Sequence, residues 1–294
     1  MKDGSIILLN GSSSSGKTTL SLMLQQLLRD PYQHVALDQF RDGLPGRYRG
    51  FNSPEGTTGF DGLNISPVDL NGESVTAVRF GVHGKKLLKG MRRAIATIVS
   101  NGLNVIIDDL LFEESFVVDY AHVLAEFDVC IVGVRCPLDV VRQRESERPG
   151  RFPGTATWHF DKVHEHMIYD VEVNTASNSP RDCALTVMNA LENKPTMSAI
   201  RQLTARCRLL LTCGAVCSFH GGHHDVLIED NDVAAVVQAM PDLKADVIGK
   251  GLNLNDTSVD NRQLVEVNAA IRDHSIEVVG RKLRGYMTGM KAIV

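Results

Sequence analysis

The sequence holds no apolar run long enough to cross a membrane, so a helical membrane protein is not expected. It also lacks a basic excess. Its 31 Lys and Arg stand against 35 Asp and Glu, a formal net charge of −4. Proteins that bind nucleic acid broadly usually carry the opposite balance. Six cysteines are present, but no C-x-x-C pair. Met1-Lys2-Asp3-Gly4 runs directly into an apolar segment, with no secretory leader pattern. Together these absences predict a cytoplasmic protein with reduced thiols, no membrane partner and no nucleic-acid partner. No internal repeat is visible. What remains is 294 residues at 43% hydrophobic content, enough for one large domain or two modest ones.

The most informative stretch is Asn10-Gly11-Ser12-Ser13-Ser14-Ser15-Gly16-Lys17-Thr18-Thr19. Four serines in a row usually mark a flexible linker. There is no room for one here, because Ser5 to Leu9 reads as a strand and Leu20 to Leu28 as a helix. Gly11, Gly16, Lys17 and Thr18 spell G-x-x-x-x-G-K-[ST], the phosphate-binding loop. Small side chains between the glycines let backbone N–H groups curl around an anion at a helix N-terminus. Lys17 is then expected at the β- and γ-phosphates of ATP, and the Thr18 hydroxyl at Mg²⁺.

Strands and helices alternate along the first two-thirds of the chain. Ser5–Leu9, His34–Asp38, Asn104–Asp109, Asp128–Val134 and Tyr169–Val173 read as strands. Val82–Ser100, Glu113–Phe127, Pro137–Glu147 and Pro180–Leu191 read as helices. Inner strands that are almost continuously apolar predict a parallel five-stranded sheet covered by helices, the P-loop NTPase and kinase arrangement. Residues 43 to 72, rich in glycine and proline, read as a long functional loop. A break near Glu192 to Thr196 divides a kinase domain, 1–194, from an extension, 195–294. The extension reads as mainly helical, over Ile200–Phe219, Asn231–Met240 and Val259–His274.

Several acids and arginines fall where chemistry is expected, at the carboxyl ends of strands. Asp38 closes the second strand and is suited to take the proton from an acceptor hydroxyl; a helix cap is the other role open to it. Asp108 and Asp109 close the third strand. One is expected to serve Mg²⁺ and the other the substrate, and strand alternation leaves open which faces the site. Arg135 follows the fourth strand as a substrate candidate. Arg142, Arg144, Arg148 and Arg151 interleave with Glu145 and Glu147 ahead of a Pro-Gly segment. They read either as a lid that closes over ATP or as a solvated face of ion pairs. Arg142 and Arg148 are expected to neutralise the transferring group, and Arg144 and Arg151 to hold nucleotide. Cys213, Cys217, His220, His223 and His224 contain zinc-binding residue types at a spacing that matches none of the usual zinc patterns.

The stretches IILLNGSSSSGKTT, VALDQF, NVIIDDLLF, VCIVGVRCPLDVVRQRESERPGR and HEHMIYDVEVNT resemble the chloramphenicol phosphotransferase family of P-loop kinases in order and spacing. The resemblance covers residues 4 to about 191. It implies ATP-dependent phosphoryl transfer to a small-molecule hydroxyl, chloramphenicol or a related antibiotic being one acceptor, and with it an antibiotic-resistance role. It implies the base at Asp38, nucleotide at Gly11 to Thr19 and the lid near Arg142 to Arg151. A zeta-toxin-like kinase of nucleotide sugars and an ATP-gated regulator stay open as alternatives. The extension lies outside the resemblance; regulation, homo-oligomerisation and a share in the acceptor site are the roles open to it.

Overall fold

The computed structural model describes residues 2–150, 152–193, 199–212, 215–220, 223–228 and 277–278. In chain order, β1 (Ser5–Asn10) leads into α1 (Lys17–Leu27), then β2 (Tyr32–Ala36) and α2 (Leu37–Asp42). Next come β3 (Arg49–Phe51), α3 (Thr58–Asp61), β4 (Leu63–Leu70), β5 (Glu73–Phe80) and α4 (Val82–Ser100). β6 (Asn104–Asp109), α5 (Glu114–Val123), β7 (Asp128–Arg135) and α6 (Leu138–Ser146) follow. Two short helices, α7 (Thr155–His159) and α8 (Lys162–Glu165), precede β8 (Val171–Asn174) and α9 (Pro180–Glu192). The chain continues through α10 (Ala199–Thr212), β9 (Ala215–His220), β10 (His223–Ile228) and β11 (Glu277–Val278).

Five strands form one sheet in the order β2-β6-β1-β7-β8. All four pairings are parallel. Parallel strands need crossovers, and the helices that make them cover both faces. The apolar runs follow from this: Ile6 to Leu9, Val105 to Ile107 and Val129 to Val132 are all buried. On one face, Ile7, Leu9, Ile106 and Val132 pack with Leu20 and Leu24 of α1 and with Cys183, Ala184 and Val187 of α9. Pro180 sits in the first turn of α9, where its missing N–H costs nothing, and the Ser179 hydroxyl caps the backbone N–H of Asp182. The carboxyl ends of β1, β6 and β2 converge beside the loop between β1 and α1.

Three expectations are corrected. The second strand ends at Ala36, and Asp38 lies in the first turn of α2. Residues 43 to 72 do not form one long loop. With residues 73 to 80 they build a second sheet in the order β3-β4-β5. β4 and β5 form a hairpin around Asn71 (φ 55°) and Gly72 (φ 84°), two residues in the left-handed conformation that tight hairpin turns require. Val75 and Ala77 alternate inward. Finally, α10 stops at Thr212, and Ala215–His220 is a strand paired antiparallel with β10 rather than the end of a helix. Val216, Cys217 and Phe219 are better strand than helix formers. Beyond Thr212 the described residues are therefore strands, not helices.

The chain divides into compact units at Met1–Leu203 and Thr204–Val294. The proposed helices over 231–240 and 259–274, and the side chains of the cysteine–histidine cluster from Cys213 to His224, lie outside the described residues.

Leu24 is fully buried at the centre of the α1–sheet–α9 layer. Leu24→Ala is expected to lower the unfolding free energy by about 2–5 kcal/mol. A shift in the urea midpoint at unchanged slope would register it.

Candidate active site

The phosphate loop is shaped by contacts on its outer side. A Cβ on Gly11 would stand 2.4 Å from the Val134 carbonyl oxygen, so β1 and β7 approach too closely for any side chain there. Gly16 turns at φ 97° and Ser14 at φ 62°, and α1 begins directly afterwards. Lys17 Nζ donates to the carbonyl oxygens of Gly11 and Ser12, each at 2.9 Å. The Thr175 hydroxyl donates to the Ser15 carbonyl at 2.6 Å. These bonds fix the loop's carbonyls, while its Ser13 N–H is taken by His159 Nε2 at 2.9 Å and its Ser15 N–H by the Ser12 carbonyl at 3.2 Å. The buried hydroxyls of Ser14 and Ser15 have no hydrogen-bond partner among the described residues. The serine run thus supplies small side chains, of which Ser13 and Ser14 line the cavity and Ser15 is fully buried.

Asn10, just before the loop, ties three elements together. Its amide donates to the Tyr169 hydroxyl at 2.8 Å and to the Val163 carbonyl, and its Oδ1 accepts from the Leu111 N–H at 3.0 Å. The Tyr169 hydroxyl in turn meets His164 Nδ1 at 2.5 Å.

The two adjacent acids at the end of β6 point to opposite faces. Asp108 faces the loop. Its Oδ2 accepts from the Thr18 hydroxyl at 2.7 Å, with Lys17 Nζ at 3.9 Å and His34 Nε2 at 3.7 Å. Burial alone would raise the Asp108 carboxyl, but His34, Lys17 and Thr18 outweigh it and hold the group below the usual carboxylate range. Asp109 is directed inward. It accepts from the Tyr120 hydroxyl at 2.8 Å and from the Leu110 N–H at 2.7 Å, with Arg92 Nη2 at 3.8 Å. Arg92 is completely buried, stacked over Phe116 and Tyr120 and bonded to Asp119 at 3.1 Å. Asp109 touches the cavity wall, yet its carboxylate is already engaged in this internal network.

Lys17, Thr18, Asp108 and Asp38 line one continuous cavity of about 1330 Å³. Asp38 is half-exposed and accepts from Arg41 Nη1 at 2.7 Å; Arg41 also contacts Asp42 at 2.9 Å. Across from the phosphate loop, Leu37, Phe51, Leu63, Ile65, Phe80 and Phe112 give the cavity an apolar, aromatic wall. That wall is largely the work of the β3-β4-β5 sheet. Burial lowers the Lys17 ammonium, while Asp108, Asp38 and Asp109 pull it back and Arg148 lowers it further.

The arginines separate into groups. Arg144 and Arg148 line the cavity. Arg144 is anchored to Thr175, donating to its hydroxyl at 3.1 Å and its carbonyl at 2.9 Å. Arg142 does not reach the cavity. It pairs with Glu73 of β5 at 2.6 Å and donates to the Thr157 hydroxyl at 3.1 Å. Arg135 also stands apart, paired with Glu172 at 2.6 Å beside a smaller pocket. Arg151 lies outside the described residues. The segment between α6 and α7 meets the second sheet directly: Thr76 donates to the Pro153 carbonyl at 2.7 Å, and Phe51 stacks on Phe152 at 5.6 Å. Sequence reading passed over His34, Arg41, Arg92, Tyr120, Thr175 and His159. Only Arg41 carried a local signal, standing three residues after Asp38 on a helix.

A family model described as chloramphenicol phosphotransferase-like protein matches residues 4–192. A protein of Mycobacterium tuberculosis, provisionally named an O-phosphotransferase, is 31% identical over 208 residues, which is 70% of this chain and 90% of that one. Ketol-acid reductoisomerase (NADP(+)) of Marinomonas sp. is 53% identical over a 62-residue stretch, 21% of this chain and 13% of that protein's length. The APS kinase of Mycobacterium tuberculosis, solved with AMPPNP and APS, superposes with a TM-score of 0.46 at 14% identity, covering 66% of this chain and all of that one. The family model spans well over half of the chain, and the phosphate loop, Asp38 and Asp108 all lie within it. The chain belongs to the chloramphenicol phosphotransferase-like family and is, with it, a phosphotransferase.

Proposed function

We propose that this protein transfers the γ-phosphoryl group of MgATP to a hydroxyl of a small molecule with an apolar body, with chloramphenicol and related antibiotics the first acceptors to test. One observation carries the reading. A phosphate loop and a carboxylate, Asp38, line the same cavity, and an apolar wall faces them.

The loop from Gly11 to Thr19 would hold the phosphates on its backbone amides, and Lys17 would exchange its carbonyl partners for phosphate oxygens. Thr18 and Asp108 suit Mg²⁺: two hard oxygen donors sit 2.7 Å apart, and the carboxylate is held ionised. Bound there, Mg²⁺ would offset negative charge on the phosphates as it moves toward the leaving oxygen. Asp38 would accept the hydroxyl proton as the acceptor oxygen bonds to the γ-phosphorus and the bond to ADP breaks. Arg41 would orient the Asp38 carboxylate. Arg148, with Arg144 anchored beside it, would face the transferring group. Positioning and electrostatics supply most of the rate in such reactions.

The apolar wall also bears on the alternatives. A nucleotide-sugar acceptor presents many hydroxyls and phosphates, and Phe51, Leu63, Ile65 and Phe80 offer them no side-chain hydrogen bonds. A pure regulator would have no use for a carboxylate aimed into the cavity that holds its nucleotide.

A scan of hydroxylated antibiotics, sugars and nucleosides with MgATP is expected to give ADP release and a phosphoryl mass gain on an apolar acceptor. Asp38→Asn is expected to lower kcat by about 10²–10⁴-fold with nucleotide binding retained. Lys17→Ala is expected to lose both. Nucleotide binding with no phosphorylated product across the panel would sink the transfer reading.

Two histidines near the loop predict the acid behaviour. Burial, with Lys17 and Lys162 adding to it, pushes the His159 pKa down to about 3. Burial, then Arg135, pushes His164 down to about 4. Both are neutral when folded, whereas an unfolded histidine takes up its proton near pH 6.5. Between these values the unfolded chain binds more protons, so stability is full above pH 6.5 and falls as pH drops. His159 alone is expected to cost roughly 2 kcal/mol between pH 6.5 and 5. The melting temperature should fall over that interval, and His159→Gln should flatten the fall. A melting temperature constant from pH 7 to pH 5 would contradict this.

A further inference from the structure

His159 brings together two parts of the cavity that the reaction must use at once. It is fully buried on α7. Its Nε2 accepts from the backbone N–H of Ser13, 146 residues earlier, at 2.9 Å. A ring nitrogen that accepts carries no proton, so Nδ1 carries it, and Nδ1 has no hydrogen-bond partner among the described residues. The same ring lies against Phe112, with centroids 6.1 Å apart and planes 25° from parallel. Phe112 belongs to the apolar wall and also meets Trp158 edge-on at 5.4 Å. Trp158 is the only tryptophan in the chain, with the Lys162 ammonium 3.9 Å from its ring centre.

We infer that His159 is a positioning residue that couples the phosphate loop to the acceptor wall, holding the Ser13 amide on one side and the Phe112 ring on the other. The inference rests on reading the loop as the nucleotide site. Three features support it. The amide it holds lies inside the loop, so a shift of the ring shifts the loop. Aromatic contacts have preferred geometries, so a shift of Phe112 bears directly on the histidine. Burial keeps the ring neutral, so the Nε2 lone pair stays available at every working pH. Asn10 pins the adjacent segment by accepting from Leu111 and donating to Val163, which leaves the histidine between two anchored walls.

Three variants separate this role from simple space filling. His159→Leu removes both contacts. His159→Gln keeps an acceptor within reach of Ser13 but loses the ring. Phe112→Leu keeps the Ser13 bond and loses the ring contact. Each would be made in the full chain and checked for folding by thermal melting, then titrated with AMPPNP by calorimetry and by Trp158 emission. In the wild-type protein AMPPNP is expected to bind and to change the emission. His159→Leu should weaken AMPPNP roughly tenfold, because the unanchored loop must then be ordered on binding, and abolish the emission change at saturation. His159→Gln and Phe112→Leu should bind within about threefold of wild type, yet lose the emission change. A folded His159→Leu with wild-type affinity and response would overturn the coupling. Should that variant fail to fold, a full emission response in both other variants would overturn it equally. A wild-type protein that binds no AMPPNP would remove the nucleotide reading and this inference with it, a result distinct from all the others.

Discussion

Everything in the site depends on one constraint: the tight turn between β1 and α1 must keep a single shape, although nothing in a bare turn holds it there. Here the turn is held from its carbonyl side. Lys17 takes the carbonyls of Gly11 and Ser12, and Thr175 takes that of Ser15. The close passage of Gly11 against the Val134 carbonyl fixes where the turn begins. Thr175 is itself gripped by Arg144. An arginine that reads in sequence as part of a closing lid therefore also steadies the floor of the site. The shape of the phosphate loop is thus set by β1, β7, α6 and the residue after β8 together, not by a ten-residue motif.

The neighbouring acids of β6 show how one strand can serve two ends. Alternation sends Asp108 to the loop and Asp109 to the interior. Asp108 is surrounded by groups that favour its charge. Asp109 joins Tyr120 and a fully buried Arg92, which lies between two aromatic rings and Asp119. A buried cation is costly unless its partners are well placed. Both carboxylates of the pair are therefore constrained, one by the site and one by the core behind it.

Much of this was legible in the sequence, for identifiable reasons. The phosphate loop was readable because its spacing follows from backbone geometry. The five parallel strands were readable because burial on both faces makes them continuously apolar. The β3-β4-β5 sheet was missed although Asn71-Gly72 is a strong hairpin signal. Pro67 within β4 and the surrounding glycines suggest a loop instead, and the proline is tolerated because β3 pairs with β4 only as far as Ile65, which leaves that side of β4 unpaired in this sheet at Pro67. The arginines could not be sorted from local pattern. Arg142 finds Glu73 across 69 residues and Arg135 finds Glu172 across 37. His159 gave no signal at all, because its partner is a main-chain amide and not a side chain with a recognisable charge. Long-range pairing is what a single sequence encodes least directly.

The contacts between the β4–β5 hairpin and the segment after α6 carry a further meaning. Glu73 holds Arg142, Thr76 holds the Pro153 carbonyl, Phe51 meets Phe152, and Gly154 comes so close to Val75 that a Cβ there would stand 2.9 Å from its Cα. The sheet that forms the apolar wall is fastened to the segment after Arg144 and Arg148, on the same cavity. Such a protein is poorly modular. Evolution or an engineer who exchanges the hairpin to reshape the apolar wall must rebuild its seam with the arginine segment in the same step. The wall in this architecture is therefore altered more readily by exchanging its side chains than by grafting a new hairpin.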